Sequence, residues 1–251
     1  MQKRVESFSD ILKYKNRRDM NLDLFVSLKN EYIYFMVCKA ASSSVTYHLR
    51  HAEYLGSQFQ VKQVNNVQMS PHLLPFQFTD DDFVQVLNSE SMRKIAVVRN
   101  PYTRLLSCYL HRIAGEKKMN PSKRVLLRAL KKTDVSDISF EMFIDCITGQ
   151  DTLSMERHWI VQHDCILYPL VKFDFIGKQE NLVADLISLE SLLFSSRVFD
   201  RALLPSRSES PRQTNAADHL KEHYNDRLMA RVVDRYKADF EAFDYDTDLP
   251  R

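Results

Sequence analysis

The chain has 251 residues, of which 44% are hydrophobic and 27% charged, with a formal net charge of +2 at pH 7. That is ordinary globular composition with length enough for a sizeable core, and a balance so near neutral argues against a nucleic-acid partner unless charge clusters locally. No apolar run approaches the roughly 18 residues that cross a bilayer, and the N-terminus lacks the apolar stretch and cleavage site of a secretory signal, so a cytoplasmic protein with no transmembrane segment is expected.

Residues 1–20 are polar and basic and read as a helix or an arm, the arm reaching to residue 25. Tyr32–Val37 is aromatic and β-branched on both faces, which predicts a central strand of a parallel sheet. Ser42–Tyr54 follows as a helix that Ser42, Ser43 or Ser44 could cap. Val61–Val64 reads as a short strand, and residues 69–76 as a loop fixed by two prolines. Thr79 heads a helix with acids in its first turn and Phe83, Val86 and Leu87 at helical spacing.

Lys94–Val98 is a second buried strand, and Pro101 opens the next helix, with Leu105, Leu106, Tyr109 and Leu110 in period. The basic stretch Lys117–Lys132 predicts a loop and a surface helix, and Phe140–Ile147 another helix. Phe173–Ile176 reads as a strand, Asn181–Leu193 as an amphipathic helix, Ser206–Thr214 as an arginine-bearing loop, and His219–Phe243 as one long closing helix. Strands alternating with helices predict an α/β fold with a mainly parallel central sheet flanked by helices. With no repeat and no composition shift, residues 1–251 read as a single domain. Cys38, Cys108, Cys146 and Cys165 show no CxxC or Cys/His spacing, so buried free thiols and no metal site are expected.

Two strand–turn–helix units carry the chemistry. The first ends in Cys38-Lys39-Ala40-Ala41-Ser42-Ser43-Ser44. Small side chains let main-chain N–H groups approach an anion at a helix N-terminus, and Lys39 adds a full charge. It is not a Walker A loop, because G-x-x-x-x-G-K-[ST] is absent. The plain alternative is a βα turn with a surface lysine. The second unit runs from Val98 to Tyr109, where Arg99 at a strand end offers a planar fork for a phosphate. Ser107 lies three residues beyond Arg104 and can share its face. The plain alternative is a helix start with exposed arginines.

Together these units resemble the two signatures of sulfotransferases that use 3′-phosphoadenosine 5′-phosphosulfate. The second signature, R-[DEN]-P-x-x-R-x-x-S-x-Y, is met by Arg99, Asn100, Pro101, Arg104, Ser107 and Tyr109, about 60 residues after the first. His158-Trp159, Cys165 and residues 173–186 are similar to a stretch of the carbohydrate sulfotransferases of the chondroitin 4-O type. Residues 232–246 resemble the closing Y-x-x-D-F-x-x-F-x-Y of that family. Cys38 stands where the family has proline, the loop has no glycine, and Leu170 replaces a second cysteine. The missing cysteine, together with the lack of the family's N-terminal membrane anchor, suggests a bacterial cytoplasmic relative.

The resemblance implies a P-loop-like three-layer fold and transfer of a sulfuryl group to a hydroxyl of a carbohydrate acceptor. In it Lys39 meets the charge on the leaving 5′-phosphate. The amides of Ala40, Ala41, Ser42, Ser43, Ser44 and Val45, with the hydroxyls of Ser43, Ser44 and Thr46, cradle that phosphate. Arg99 and Ser107 bind the 3′-phosphate, and Arg207 sits in a loop that closes over the nucleotide. No metal is required. A general base is needed for the acceptor hydroxyl; His72 in the proline-bounded loop is the first candidate and His158 the second. His48, His111 and His163 read as structural or exposed. The basic segment is a solvated face or a patch for an anionic acceptor. The alternatives are a P-loop-related nucleotide kinase and a non-catalytic relative that binds a phosphorylated ligand.

Overall fold

A computed structural model describes residues 4–55, 70–115, 118–136, 138–194 and 214–250. In chain order the elements are α1 (Phe8–Leu12), α2 (Arg17–Asp23), β1 (Leu24–Ser27), β2 (Tyr32–Phe35), α3 (Ser42–Tyr54), α4 (Asp80–Asn88), β3 (Arg93–Val98), α5 (Pro101–Cys108), α6 (Pro121–Leu130), α7 (Phe140–Thr148), α8 (Gln162–Cys165), β4 (Phe175–Lys178), α9 (Leu182–Leu193), α10 (Leu220–His223), α11 (Asp226–Arg235) and α12 (Lys237–Ala242). Tyr109–Gly115 continues α5 as a π-helix. The chain forms two compact units, one of Met1–Val98 with Asp164–Glu209 and the other of Arg99–His163 with Ser210–Arg251.

The first unit holds the sheet, in the order β1-β2-β3-β4. β2, β3 and β4 run parallel, while β1 pairs antiparallel with β2 through Leu24↔Phe35 and Ser27↔Tyr32. The fold is therefore mixed α/β with a mostly parallel sheet flanked by helices. On one face Phe25, Tyr34, Ile95 and Val97 meet Val45 and Leu49 of α3 and Leu186 and Leu189 of α9. Each such fully buried side chain contributes about 1.5–3 kcal/mol. The other parity, Ile33, Phe35, Ala96 and Val98, is buried as well. Burial on both faces is why these strands read as continuous apolar runs rather than alternating ones.

The residues before β2 form α1, α2 and β1, with Val5, Ile11 and Met20 in the core. The buried Lys15 ammonium lies 2.6 Å from Asp23 and donates to the carbonyl of Cys165 at 3.1 Å. Burial opposes its charge, but Asp23 and Cys165 together hold its pKa above the ordinary lysine value. At the far edge, Gly177 of β4 allows a close approach. A Cβ there would stand 2.9 Å from the Phe175 ring and 3.2 Å from Asp185, whose carboxylate accepts from the Lys178 amide at 2.5 Å.

The second unit is built on aromatic contacts. Tyr102 meets Phe240 at 5.3 Å, Phe140 meets Tyr224 at 4.9 Å, and Phe143 meets Trp159 edge-on at 5.7 Å. The expected single helix His219–Phe243 is instead three helices. Asn225 interrupts it by capping α11, its side chain accepting from the Leu228 amide at 3.0 Å. Tyr236 interrupts it again, donating through its hydroxyl to the Trp159 carbonyl at 2.5 Å. The strand expected at Phe173–Ile176 lies two residues later, because Asp174 ties both its amide and its carboxylate to the main chain of Lys94. Lys123, expected on a solvated face, is buried on α6. Val61–Val64 and residues 206–213 of the arginine-bearing loop lie outside the described residues.

Candidate functional site

The two motifs fall in different units. In the first unit, β2 and β3 are parallel neighbours and end at the same edge of the sheet. Residues 36–41 leave β2 there and enter α3. No glycine is present, yet Lys39 (φ 71°) and Ala41 (φ 54°) both adopt the left-handed region, with Ala40 between them outside it. Each such L-residue costs about 1–2 kcal/mol, so two within three residues is strain held by the surroundings. Backbone whose φ alternates in sign turns successive N–H groups toward one concavity, the form that receives anions.

The start of α3 supports the same use. Its N-cap is Ala41, not one of the serines expected to cap it, because the left-handed turn places Ser42–Ser44 inside the first helical turn. Ala41 has no side chain to satisfy the first-turn amides. The Ala40 amide already donates to Val37 at 3.3 Å, and the first intrahelical bond runs from Val45 to Ala41 at 3.1 Å. The amides of Ser42 and Ser44 thus precede the helical ladder, at the positive end of the dipole. Lys39 and Ser42–Ser44 are half-buried, while Ala40 and Val45 are fully buried. Thr46 is buried, with its hydroxyl 3.8 Å from the Met36 sulfur.

His72 sits elsewhere in this unit. It is 4% exposed, and Nε2 makes a 2.6 Å hydrogen bond with the Tyr32 hydroxyl at the N-terminal end of β2. Lys39 follows the opposite end of that strand. Burial, with the Arg50 charge nearby, pushes His72 down to about 3. It is a neutral core histidine, packed edge-on against Phe25 and Tyr32.

In the second unit, Asn100 caps α5 by accepting from the amides of Tyr102 at 3.0 Å and Thr103 at 3.5 Å. Pro101 fills the first helical position. Arg99 is half-exposed and donates through Nε to the Thr103 hydroxyl at 2.9 Å, which fixes the plane of its guanidinium. Its main chain is bracketed by Gln162, whose Oε1 accepts from the Arg99 amide at 2.9 Å while Nε2 donates to the Arg99 carbonyl at 2.8 Å. Arg104 has a different environment, fully buried and donating to the Ile160 carbonyl at 2.8 Å. Ser107 is 3% exposed and accepts from the Thr214 hydroxyl at 3.1 Å.

His158 carries a carboxylate partner. Its Nδ1 lies 2.8 Å from Oε1 of Glu156 and 3.4 Å from the Ser122 hydroxyl, and its amide donates to Glu156 at 2.9 Å. Burial works against the Glu156 charge, but the His158 contacts outweigh it and hold the carboxyl below the usual range. A carboxylate on Nδ1 sets the tautomer that presents Nε2 as a base. Arg124 and Arg128 on α6, Lys131 and Lys132 just beyond its end, and Lys118 before it are exposed.

Arg207 lies outside the described residues. Sequence reasoning missed Gln162, which carries no titratable or motif signal; it also missed Asp239, although it stands in the closing Y-x-x-D-F stretch, and Glu156, although its spacing two residues before His158 was visible. Among the described residues no group of His, Cys, Asp and Glu is arranged to hold a metal ion, and no helix is long and apolar enough to cross a membrane.

No curated protein and no solved structure matches the chain. The model of the sulfotransferase family matches residues 22–246, a span that contains the Lys39 loop, the Arg99 element and the closing helices. The chain belongs to the sulfotransferase family.

Proposed function

We infer that the chain transfers the sulfuryl group of 3′-phosphoadenosine 5′-phosphosulfate to a hydroxyl of a carbohydrate acceptor, and that the whole chain works as one catalytic domain. The observation that carries this reading is the glycine-free turn at Lys39–Ala41. It holds two left-handed residues directly before an uncapped helix N-terminus. The family match running through both units supports the single-domain reading.

In the transfer, the bond from sulfur to the 5′-phosphate oxygen breaks and a bond from sulfur to the acceptor oxygen forms. The electron pair of the broken bond stays on the phosphate, where the Lys39 ammonium and the first-turn amides of α3 meet the charge. Such chemistry needs positioning and charge stabilisation rather than covalent help. The proton of the acceptor hydroxyl goes to Nε2 of His158, with Glu156 supporting the imidazolium. His158 replaces His72 as the preferred base, since His72 is buried at the opposite end of β2. The resemblance assigns Arg99 to the 3′-phosphate, and the Nε bond to Thr103 supports an oriented fork there.

The exposed basic ridge of α6 supports an anionic glycan as acceptor, in keeping with the chondroitin 4-O-like motifs. Four free cysteines, three of them buried, fit a reducing compartment, and a cytoplasmic setting is part of the same reading. The test is a thermal-shift comparison of adenosine 3′,5′-bisphosphate with ATP and ADP. Stabilisation by the bisphosphate alone is expected. Stabilisation by ATP without any by the bisphosphate would return the chain to the nucleotide-kinase reading.

A further inference from the structure

The closing Y-x-x-D-F motif has no place in the transfer chemistry, yet two of its side chains reach one short segment. Tyr236 donates to the Trp159 carbonyl at 2.5 Å. Asp239, one turn further and fully buried, accepts from the Gln162 amide at 3.0 Å, from Gln162 Nε2 at 3.2 Å and from the His163 amide at 2.7 Å. Gln162 is itself fully buried, and its amide group makes the paired bonds to the amide and carbonyl of Arg99. That pairing copies what a strand partner does in a ladder, where one residue exchanges both bonds with another. Arg99 is the first residue after β3.

We propose that Gln162, held by Asp239, is the positioning residue for Arg99: the pair fixes the main chain from which the guanidinium reaches the 3′-phosphate of the donor. This rests on the reading of Arg99 as the 3′-phosphate ligand. The chemistry favours a positioning role because both ends of one buried amide are spent on a single residue. Oε1 is committed to the Arg99 amide, and Nε2 is shared between the Arg99 carbonyl and Asp239. With Nε tied to Thr103, the guanidinium is constrained from both its root and its side. Burial raises the Asp239 pKa, opposed by the nearby Arg104 charge and by the three donors. A fixed fork loses less freedom on binding, which is where preorganised affinity comes from.

The experiment is calorimetry on the full chain, comparing adenosine 3′,5′-bisphosphate with adenosine 5′-monophosphate. Their affinity ratio isolates the 3′-phosphate. Gln162→Met keeps the length of the side chain and removes both hydrogen bonds. It should cut the ratio by about tenfold while leaving the monophosphate affinity unchanged. Asp239→Asn should cut it less. A ratio that Arg99→Ala abolishes but Gln162→Met preserves would overturn the inference and leave Arg99 in place. A ratio near one in the native chain, or one unchanged by Arg99→Ala, would refute the 3′-phosphate reading and take the inference with it. Should Gln162→Met not fold, Gln162→Glu serves: next to Asp239 its carboxyl donates only when protonated. Its ratio should therefore recover toward native as pH falls, relative to the native chain at each pH, and a constant offset would count against positioning.

Discussion

Ala41 can be replaced by glycine to ask whether the left-handed turn is strain maintained for binding. At φ 54° an alanine loses about 1–2 kcal/mol that glycine does not. Against this, glycine gives the unfolded chain freedom worth about 0.4–1 kcal/mol. The half-buried methyl, which touches the core around Val45 and Tyr34, returns roughly half of the ~0.8 kcal/mol of a fully buried one. The balance leaves Ala41→Gly between neutral and about 1 kcal/mol more stable, at most a rise of roughly 2–4 °C in melting temperature for a chain of this size. Ala41→Val should move the other way by about 2 kcal/mol, since a β-branched residue is a true outlier at positive φ. Urea midpoints of the three proteins measure the differences. The glycine form should also bind adenosine 3′,5′-bisphosphate severalfold more weakly in calorimetry, because its empty loop samples more conformations that must be ordered. A glycine variant destabilised by more than about 1 kcal/mol, with valine tolerated, would refute the claim that the backbone at Ala41 is strained.

Lys39→Ala should lower turnover by about 10²–10³-fold, the scale for one group stabilising charge in the transition state; single-turnover assays with saturating donor would show it, and undiminished turnover would remove Lys39 from the leaving-group side. His158→Ala should cost about 10²–10⁴-fold in kcat with donor affinity unchanged, and Glu156→Gln should cost less and shift the acid limb of the pH–rate profile to lower pH. For acid stability, the folded-state value of His72 at about 3 lies below the ordinary 6.5, so the unfolded chain binds the extra proton. Stability is therefore complete above the unfolded value and falls as pH drops from 6.5 toward 3, by roughly 2–3 kcal/mol at about pH 4.5 from His72 alone. His48, held by burial at about 4, adds to the same slope. Urea midpoints that stay level across this window would disprove the assignment of His72 as a neutral core residue.

The parts of the fold that sequence reasoning located are those whose signals are local. α3 begins and ends at Ser42 and Tyr54 as expected, and α4 starts after the Thr79 cap, whose hydroxyl accepts from the Asp82 amide at 3.1 Å. β1 was hidden because three apolar residues and a serine are too short a run to carry periodicity, and only pairing with Tyr32–Phe35 makes them a strand. Of the breaks in the closing helix, the one at Asn225 is a local cap, while the one at Tyr236 depends on its hydroxyl reaching the carbonyl of Trp159, 77 residues away. The site divides in the same way. Lys39, Arg99 and Asn100 announce themselves by position at strand ends. By contrast, the roles of Arg104, buried against Ile160, and of Gln162 follow from partners that no local pattern encodes.

The Lys15 ammonium bears on the order of events during synthesis. Its carbonyl acceptor, Cys165, lies 150 residues downstream, and the first unit resumes at Asp164 only after residues 99–163 have been made. At about 5–20 residues per second, the ribosome leaves α1, α2 and the first three strands waiting several seconds for β4 and for the group that satisfies Lys15. During that interval β3 is an unpaired parallel edge, the kind of template that joins wrong partners. Burying Lys15 before Cys165 arrives would leave its ammonium with Asp23 alone, so the charged pair disfavours early closure of the N-terminal helices. Chaperone dependence and nascent-chain proteolysis should accordingly peak in chains stalled between residues 99 and 163 and subside once β4 has emerged.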